Sequence, residues 1–529
     1  MTEYRGMVVV IHLLPTFVCG ATPSTHRDVV TTQGTVRGYF APRPPHYAYL
    51  GLPYARPPTG NDRFKAPKPP KVWTGIFEAI HQVKCPQPDG SGEENCLVLN
   101  VFAPVGAASS PVIVHFHDGG YQRGWGAYKG PERLLDQGFV IVTFNYRLGI
   151  LGFLCLDLEE VPGNAGLKDQ VAALYWIQRN IARFGGNASD ITAYGTGAGA
   201  ASTEMLLLSG LTKDLIHKVI MESGSALSPS SITHDPHADA LHIANYLGYK
   251  GIDDSKHLKD FYKELPVRNL TNVPRKLLPC IEKAYHSTHS LLNTDPRNII
   301  KIGNYHHVPT LIVYTNTEQV ALISENIDRF KIVPDTFVDL LPSDLAYDSD
   351  QMKYKIAELV KHFYFNELEL KESIIQSYVD YVNDIFLEYP LVKVASYHSK
   401  KTPVFLMKFL YKGTLSRNTN DKIHGAAHGD VFRYITSSKD LDGYDAVIVE
   451  TIITLWTNFI KLGDPTPLTT KFISEIWQPV VPHMSDRNVI LHNINCFILG
   501  KSLRNELLPG QQFLFWDHIY EKFYTNLAE

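Results

Sequence analysis

The chain has 529 residues, 44% of them hydrophobic and 20% charged, which suits a globular protein with a sizeable core. Its formal net charge is -4 and it carries no long like-charge run, so neither a nucleic-acid partner nor a polybasic membrane contact is indicated.

The first 21 residues read as a secretory signal. A short head with Arg5 precedes the apolar "MVVVIHLLPTFV", and the small residues Cys19, Gly20 and Ala21 offer a cleavage site. The competing reading is a buried N-terminal strand. Residues 22–529 are taken as one globular domain. No later stretch reaches the ~18 consecutive apolar residues of a membrane span, and the C-terminal "FWDHIYEKFYTNLAE" is amphipathic with no lipid-anchor signal. The expectation is an exported protein without a membrane anchor. Cys85 and Cys96 bracket the polar loop "CPQPDGSGEENC", which can close with a disulfide in an oxidising compartment. Cys155, Cys280 and Cys496 sit in apolar surroundings and read as buried thiols. No Cys or His spacing indicates a metal, and no cofactor is expected. Asn187-Ala-Ser and Asn269-Leu-Thr are sequons that become glycosylation sites on export.

"PVIVHF" (111–116) and "FVIVTFNY" (139–146) are continuous apolar runs that suit strands buried on both faces. "LKDQVAALYWIQRNIARF" places Val171, Leu174, Tyr175, Ile181 and Ala182 on one helical face and stops at Gly185-Gly186. The strand "DITAY" then runs into the turn Gly195-Thr196-Gly197-Ala198-Gly199 and a further helix. "HKVIMES", "VPTLIVY" and "PVFLMKFLY" are further strands. Strands alternating with helices imply an α/β fold with a mostly parallel central sheet. Residues from about 235 to 400 are richer in helical pattern and read as an inserted cap.

The glycine turn stands among seven other ordered motifs. They are "YLGLPYARPPTGNDRF", "ENCLVLNVFAP", "FNYRLGILGFL", "PGNAGLKDQ", "MESGSALSP", "GAAHGD" and "WTNFIKLGDPTP". Together they closely resemble the carboxylesterase and cholinesterase family of α/β-hydrolases, from about residue 25 to the end, with the secreted insect esterases nearest in character. The resemblance implies an α/β-hydrolase fold with flanking helices and a helical cap. It also implies a serine nucleophile on a strained elbow, a general-base histidine, an orienting acid and backbone N–H groups for the oxyanion. By motif, the histidine is His428 of "GAAHGD" and the acid is Glu318 of "VYTNTEQV", where Gln319 replaces a usual glycine. The oxyanion N–H groups fall to Gly119 and Gly120 of "HFHDGGY" and to Ala198. His424 lacks the following Gly-Asp and reads as an ordinary surface histidine. A second disulfide common in the family is not expected, because Tyr249 stands where a cysteine is often found.

Two positions depart from the pattern. Gly197 stands where the serine belongs. A glycine tolerates the elbow backbone and cannot attack a carbonyl. Asp118 stands where another glycine is usual. Its carboxylate is expected to face solvent or bond a neighbouring N–H. Facing the oxyanion hole is the alternative. Thr196, Ser202 and Ser223 are weighed as substitute nucleophiles and set aside. The sequence therefore reads as an exported, non-hydrolytic member of the family that binds a small hydrophobic ester or an unknown protein partner. An active ester hydrolase with a replacement nucleophile is the alternative. On the first reading, Gly197→Ser is expected to restore some activity, and adding Asp118→Gly to restore more.

Overall fold

The computed structural model describes residues 24–525, apart from 57, 128–131, 285–289, 326–333, 335, 366–370, 486–487 and 509. The segment read as a secretory signal lies outside the described residues.

Among the described residues, thirteen strands form one sheet. They are β1 (His26–Val30), β2 (Thr35–Pro42), β3 (Pro45–Pro53), β4 (Ile76–Glu78), β5 (Val98–Pro104), β6 (Ser110–Phe116), β7 (Val140–Phe144), β8 (Gly186–Thr196), β9 (Lys218–Glu222), β10 (Thr310–Thr315), β11 (Val404–Phe409), β12 (Ile494–Leu499) and β13 (Leu503–Leu508). Their order across the sheet is β1-β2-β3-β5-β7-β6-β8-β9-β10-β11-β12-β13, with β4 beside β2. Every neighbouring pair from β7 to β12 is parallel. The two margins are antiparallel, apart from β4, which pairs with β2 in parallel.

The apolar runs have a direct reason. Successive side chains on a strand point to opposite faces. Val112, Val114, Val140, Val142, Ile191, Ala193, Val219 and Met221 enter one core. Ile113, Ile141, Tyr194, Ile220, Leu311, Val313, Phe405 and Met407 enter the other. Both faces are covered, so alternation of polar and apolar residues disappears from these strands. The helix Gly443–Leu462 seals the second face with Ile448, Ile452, Trp456 and Phe459.

The helix Ala165–Asn180 stands where the sequence places it, but its end and one flank differ. It stops at Asn180, and a 3-10 turn, Ile181–Phe184, reaches Gly185. Tyr175 is exposed and donates its hydroxyl to the Leu211 carbonyl at 3.0 Å. Ala182 is exposed as well. The helix covers the sheet with one stripe, and both residues fall at its edge.

The helix-rich region contains Pro236–Tyr246, Ser255–Glu264, Pro296–Ile302, Asp350–Phe365, Lys371–Asn383 and Tyr389–His398. Central strand β10 passes between the third and fourth of these, so the insertion is split in two.

Two disulfides cross-link the described residues. Cys85–Cys96 closes the polar loop. Cys155–Cys280 corrects the reading of these two residues as buried thiols. The apolar surroundings are those of a buried cystine. Gly163 lies against it: a Cβ there would stand 2.4 Å from Cys280 Sγ. Cys496 is a free buried thiol.

Candidate active site

The carboxyl ends of β6, β8, β9 and β10 meet on one edge of the parallel sheet, where open α/β sheets place ligands. β8 ends at Thr196, Gly197 turns at φ 53 and ψ -119, and the helix Ala198–Leu208 starts immediately. The turn is held by the Gly197 N–H donating to the Glu222 carbonyl at 2.8 Å. Gly199 packs the new helix against β6, since a Cβ there would stand 2.0 Å from the Phe116 carbonyl oxygen. The flanking glycines are therefore needed for packing. Gly197 differs, because what fills its side-chain space is another side chain.

That side chain is Asp118, two residues beyond the end of β6. A Cβ on Gly197 would stand 2.1 Å from Asp118 Oδ1 and 2.3 Å from its Cγ. The Ala198 N–H donates to Asp118 Oδ1 at 3.0 Å. His428 Nε2 lies 2.9 Å from Asp118 Oδ2. The carboxylate thus takes the place of a side chain at 197 and occupies one of the expected oxyanion donors. It bonds the neighbouring Gly119 N–H, as the sequence led one to expect, and also the N–H of Ala198, an expected oxyanion donor, so both orientations weighed from the sequence are realised at once.

His428 comes from the loop between β11 and the helix Asp430–Thr436, which its own neighbours pin. Ala427 N–H donates to Asp430 Oδ2 at 2.8 Å, and Asn418 Nδ2 donates to the carbonyls of Ile423 and Gly425 at 2.8 and 2.9 Å. Thr317 Oγ1 donates to the Ala426 carbonyl at 2.6 Å, tying this loop to the end of β10. Glu318 follows in the same turn, and its Oε2 lies 2.7 Å from His428 Nδ1. Its Oε1 accepts from Ser223 Oγ at 2.6 Å and from the Thr315 N–H at 2.6 Å. Asn383 Oδ1 accepts the Glu318 N–H at 2.8 Å.

The result is a line of carboxylate, imidazole and carboxylate. The Asp118 side chain keeps 33% of its surface exposed and His428 keeps 27%, while Glu318 keeps none. Burial opposes charge on Asp118. The charge and hydrogen bond of His428, with the N–H groups of Ala198 and Gly119, outweigh it and hold the carboxyl well below the ordinary range. Burial equally opposes the His428 imidazolium, yet Asp118 and Glu318 raise it well above the ordinary histidine value. His428 is therefore an ion-pair partner rather than a free base.

The family follows from comparison of the whole chain with known proteins. Residues 25–505 match the carboxylesterase family. The chain belongs to the carboxylesterase family. Esterase FE4 of Myzus persicae is 32% identical over 486 residues, covering 83% of this chain and 84% of that one. A juvenile hormone esterase of Heliothis virescens is 29% identical, covering 79% of this chain and 82% of its own. The crystal structure of juvenile hormone esterase from Manduca sexta, with OTFP covalently attached, superposes with a TM-score of 0.81 at 26% identity. It covers 94% of this chain and 100% of that chain. The fold is accordingly that of an α/β-hydrolase.

Within this carboxylesterase fold, Gly197, Ala198, Glu318 and His428 converge, together with Asp118. Gly119 and Gly120 border the same turn, at φ 133 and 59. The other hydroxyls are directed elsewhere. Ser223 donates to Glu318, and Ser202 Oγ donates to the Ala198 carbonyl at 2.9 Å. Thr196 is buried. His424 is exposed, away from the line.

Sequence reasoning missed two residues. Glu222, at the end of β9, is fully buried. Its Oε2 accepts from Tyr194 OH at 2.6 Å and its Oε1 from the Phe432 N–H at 3.0 Å. Burial pushes its carboxyl up to about 7, although these donors act the other way. The pair Glu222-Ser223 in "MESGSA" carried a usable signal. Asn383 carried none, because it lies at the end of a distant helix.

Proposed function

We propose that this carboxylesterase-family protein is exported and binds, rather than cleaves, a small hydrophobic ester or a protein partner at the site between sheet and cap. The placement of Asp118 carries the reading. Ester cleavage of the family kind needs a hydroxyl at position 197 and vacant N–H groups for the oxyanion. Position 197 has no side chain, and a carboxylate fills the space beside it. Loss of the serine from a comparable triad costs about a million-fold in turnover. On this reading His428, Glu318, Gly119, Gly120 and Ala198 are the remnant of the hydrolytic machinery, and Gly197 stands for the missing serine. Export is supported by the disulfides and by the sequons at Asn187 and Asn269. Among the described residues no helix is long and apolar enough to cross a membrane.

The test uses the purified full chain with a fluorophosphonate probe and a short-chain aryl ester. Expected are no covalent label on any serine or threonine and hydrolysis at the rate of buffer, with the ester still quenching intrinsic fluorescence on binding. Stoichiometric labelling of Ser223, Ser202 or Thr196 with turnover would establish an active hydrolase with a replacement nucleophile instead.

A further inference from the structure

The Asp118 side chain lies in the site as a bound acyl group would. Oδ1 accepts the Ala198 N–H at 3.0 Å, the donor expected to hold a carbonyl oxygen. Oδ2 faces His428 Nε2 at 2.9 Å, where the ester oxygen of an acyl intermediate would stand. Behind His428, Glu318 holds Nδ1 at 2.7 Å. A third of the Asp118 side chain is exposed, so a reagent can reach it. A carboxylate is a poor attacker of esters, since it would form an anhydride. It is a competent nucleophile toward an electrophilic saturated carbon, and the product is an ester. An ester formed at Oδ2 would leave its carbonyl on the Ala198 N–H and its linking oxygen beside His428.

We propose that Asp118 is a catalytic nucleophile for strained alkyl electrophiles, with 1,2-epoxides as the substrate class, and that His428 and Glu318 hydrolyse the ester it forms. This goes beyond the binding function and concerns alkyl rather than acyl chemistry, although it rests on the same placement of Asp118. In the first step an Oδ2 lone pair bonds to a ring carbon. The bond from that carbon to the ring oxygen breaks, and its electron pair stays on the oxygen, which takes the proton from His428 Nε2. The products are a hydroxyalkyl ester of Asp118 and a neutral His428 oriented by Glu318. In the second step His428 takes a proton from water as the water oxygen bonds to Asp118 Cγ. The carbonyl pair moves onto Oδ1, facing the Ala198 N–H. Collapse of this intermediate breaks the bond to the alkyl oxygen, which leaves with the proton from His428. The new carboxylic acid returns its proton to His428, restoring the ion pair. The sum is epoxide plus water to diol, with no oxidation or reduction.

The test is a single turnover of styrene oxide by excess full-length protein in water enriched in the heavy oxygen isotope. Peptide mass spectrometry should find one heavy oxygen in the Asp118 carboxyl, and the first diol formed should contain none. His428→Gln, which lacks both the proton donor of the first step and the base of the second, should form diol at least about a hundred-fold more slowly than the unmodified chain. Asp118→Asn, with its fold verified by circular dichroism, should give neither adduct nor diol. Heavy oxygen in the diol but not in Asp118 would overturn the proposal, as would absence of both adduct and exchange in the unmodified chain. The aryl-ester assay is independent, so its outcome separates failure of the binding reading from failure of this one.

Discussion

Gly197→Ser alone is expected to destabilise the protein without creating an esterase. The new Cβ would stand 2.1 Å from Asp118 Oδ1 and 2.3 Å from Cγ, so the carboxylate must leave. Leaving breaks its contacts with His428 and the Ala198 N–H. A fully buried pair broken in this way costs about 3–5 kcal/mol. With a third of Asp118 exposed, roughly 2–3 kcal/mol is the better figure after allowance for solvent. A non-glycine residue at this positive φ adds on the order of 1–3 kcal/mol. The displaced carboxylate also remains near the oxyanion. At ~5 Å and an effective dielectric near 20 it opposes the developing charge by roughly 3 kcal/mol, or about a hundred-fold in rate. Gly197→Ser with Asp118→Gly lacks the same Asp118 contacts and keeps the elbow strain, but it removes the overlap and leaves no displaced carboxylate near the oxyanion. Thermal unfolding, aryl-ester hydrolysis and fluorophosphonate labelling of residue 197 would follow both variants and the unmodified chain. The double variant should be at least about a hundred-fold more active than Gly197→Ser, and more stable than it. The sequence alone led to the expectation of some activity from the single change and more from the double; the overlap at Asp118 sharpens that difference. If Gly197→Ser proved as stable as the unmodified chain and as active as the double variant, the placement of Asp118 would be refuted.

The Asp118–His428 pair also sets a pH window. The His428 contribution is complete below its unfolded value of about 6.5 and is lost only as pH rises through its higher folded value, whereas that of Asp118 is present above about 3.9 and lost only in stronger acid. Asp118→Asn should therefore lower thermal stability most between about pH 4 and 6.5, and identical melting curves would count against the pair. Burial raises Glu222 to about 7, so its contribution is complete below about 4.3 and declines as pH rises toward 7. Glu222→Gln should consequently gain on the unmodified chain over that interval, by up to about 3 kcal/mol, in melts recorded across it. Loss of Cys155–Cys280, which closes a separation of 125 residues, should cost about 5 kcal/mol by loop entropy, against about 3 kcal/mol for the Cys85–Cys96 separation of 11, as chemical denaturation of the Cys→Ala pairs would measure.

The central strands were legible because burial on both faces leaves an unbroken apolar run, as in β6 and β7. Glu318 and His428 were picked out by short motifs, Glu318 just beyond β10 and His428 in the loop before the helix Asp430–Thr436, and the fold brings them within 2.7 Å. The misjudged features depend on spatial neighbours that spacing does not report. Cys155 and Cys280 are joined across 125 residues, and their apolar surroundings suit a thiol and a cystine equally. Tyr175 keeps helical periodicity with the core, yet its hydroxyl reaches the Leu211 carbonyl at the margin. The direction of Asp118 depends on the empty volume at Gly197, which lies 79 residues away in sequence and is adjacent only once β6 and β8 pair.

The Asp118 carboxylate and the absence of a side chain at Gly197 therefore depend on each other, because one volume serves both. With a side chain at 197, the Asp118 carboxylate cannot lie between Ala198 and His428. With glycine at both positions, the Ala198 N–H and His428 Nε2 would each lose the partner recorded here. Their proximity also explains the electrostatics of the floor beneath. Three carboxyl groups, those of Asp118, Glu318 and Glu222, lie around a single imidazole. The imidazolium contacts Asp118 and Glu318 directly. Glu222 receives only a hydroxyl and one N–H, and burial outweighs them, so it is the group that yields toward the protonated form. With the Asp118 carboxylate beside the Ala198 N–H, His428 is held between the carboxyl groups of Asp118 and Glu318, which favour its protonated form.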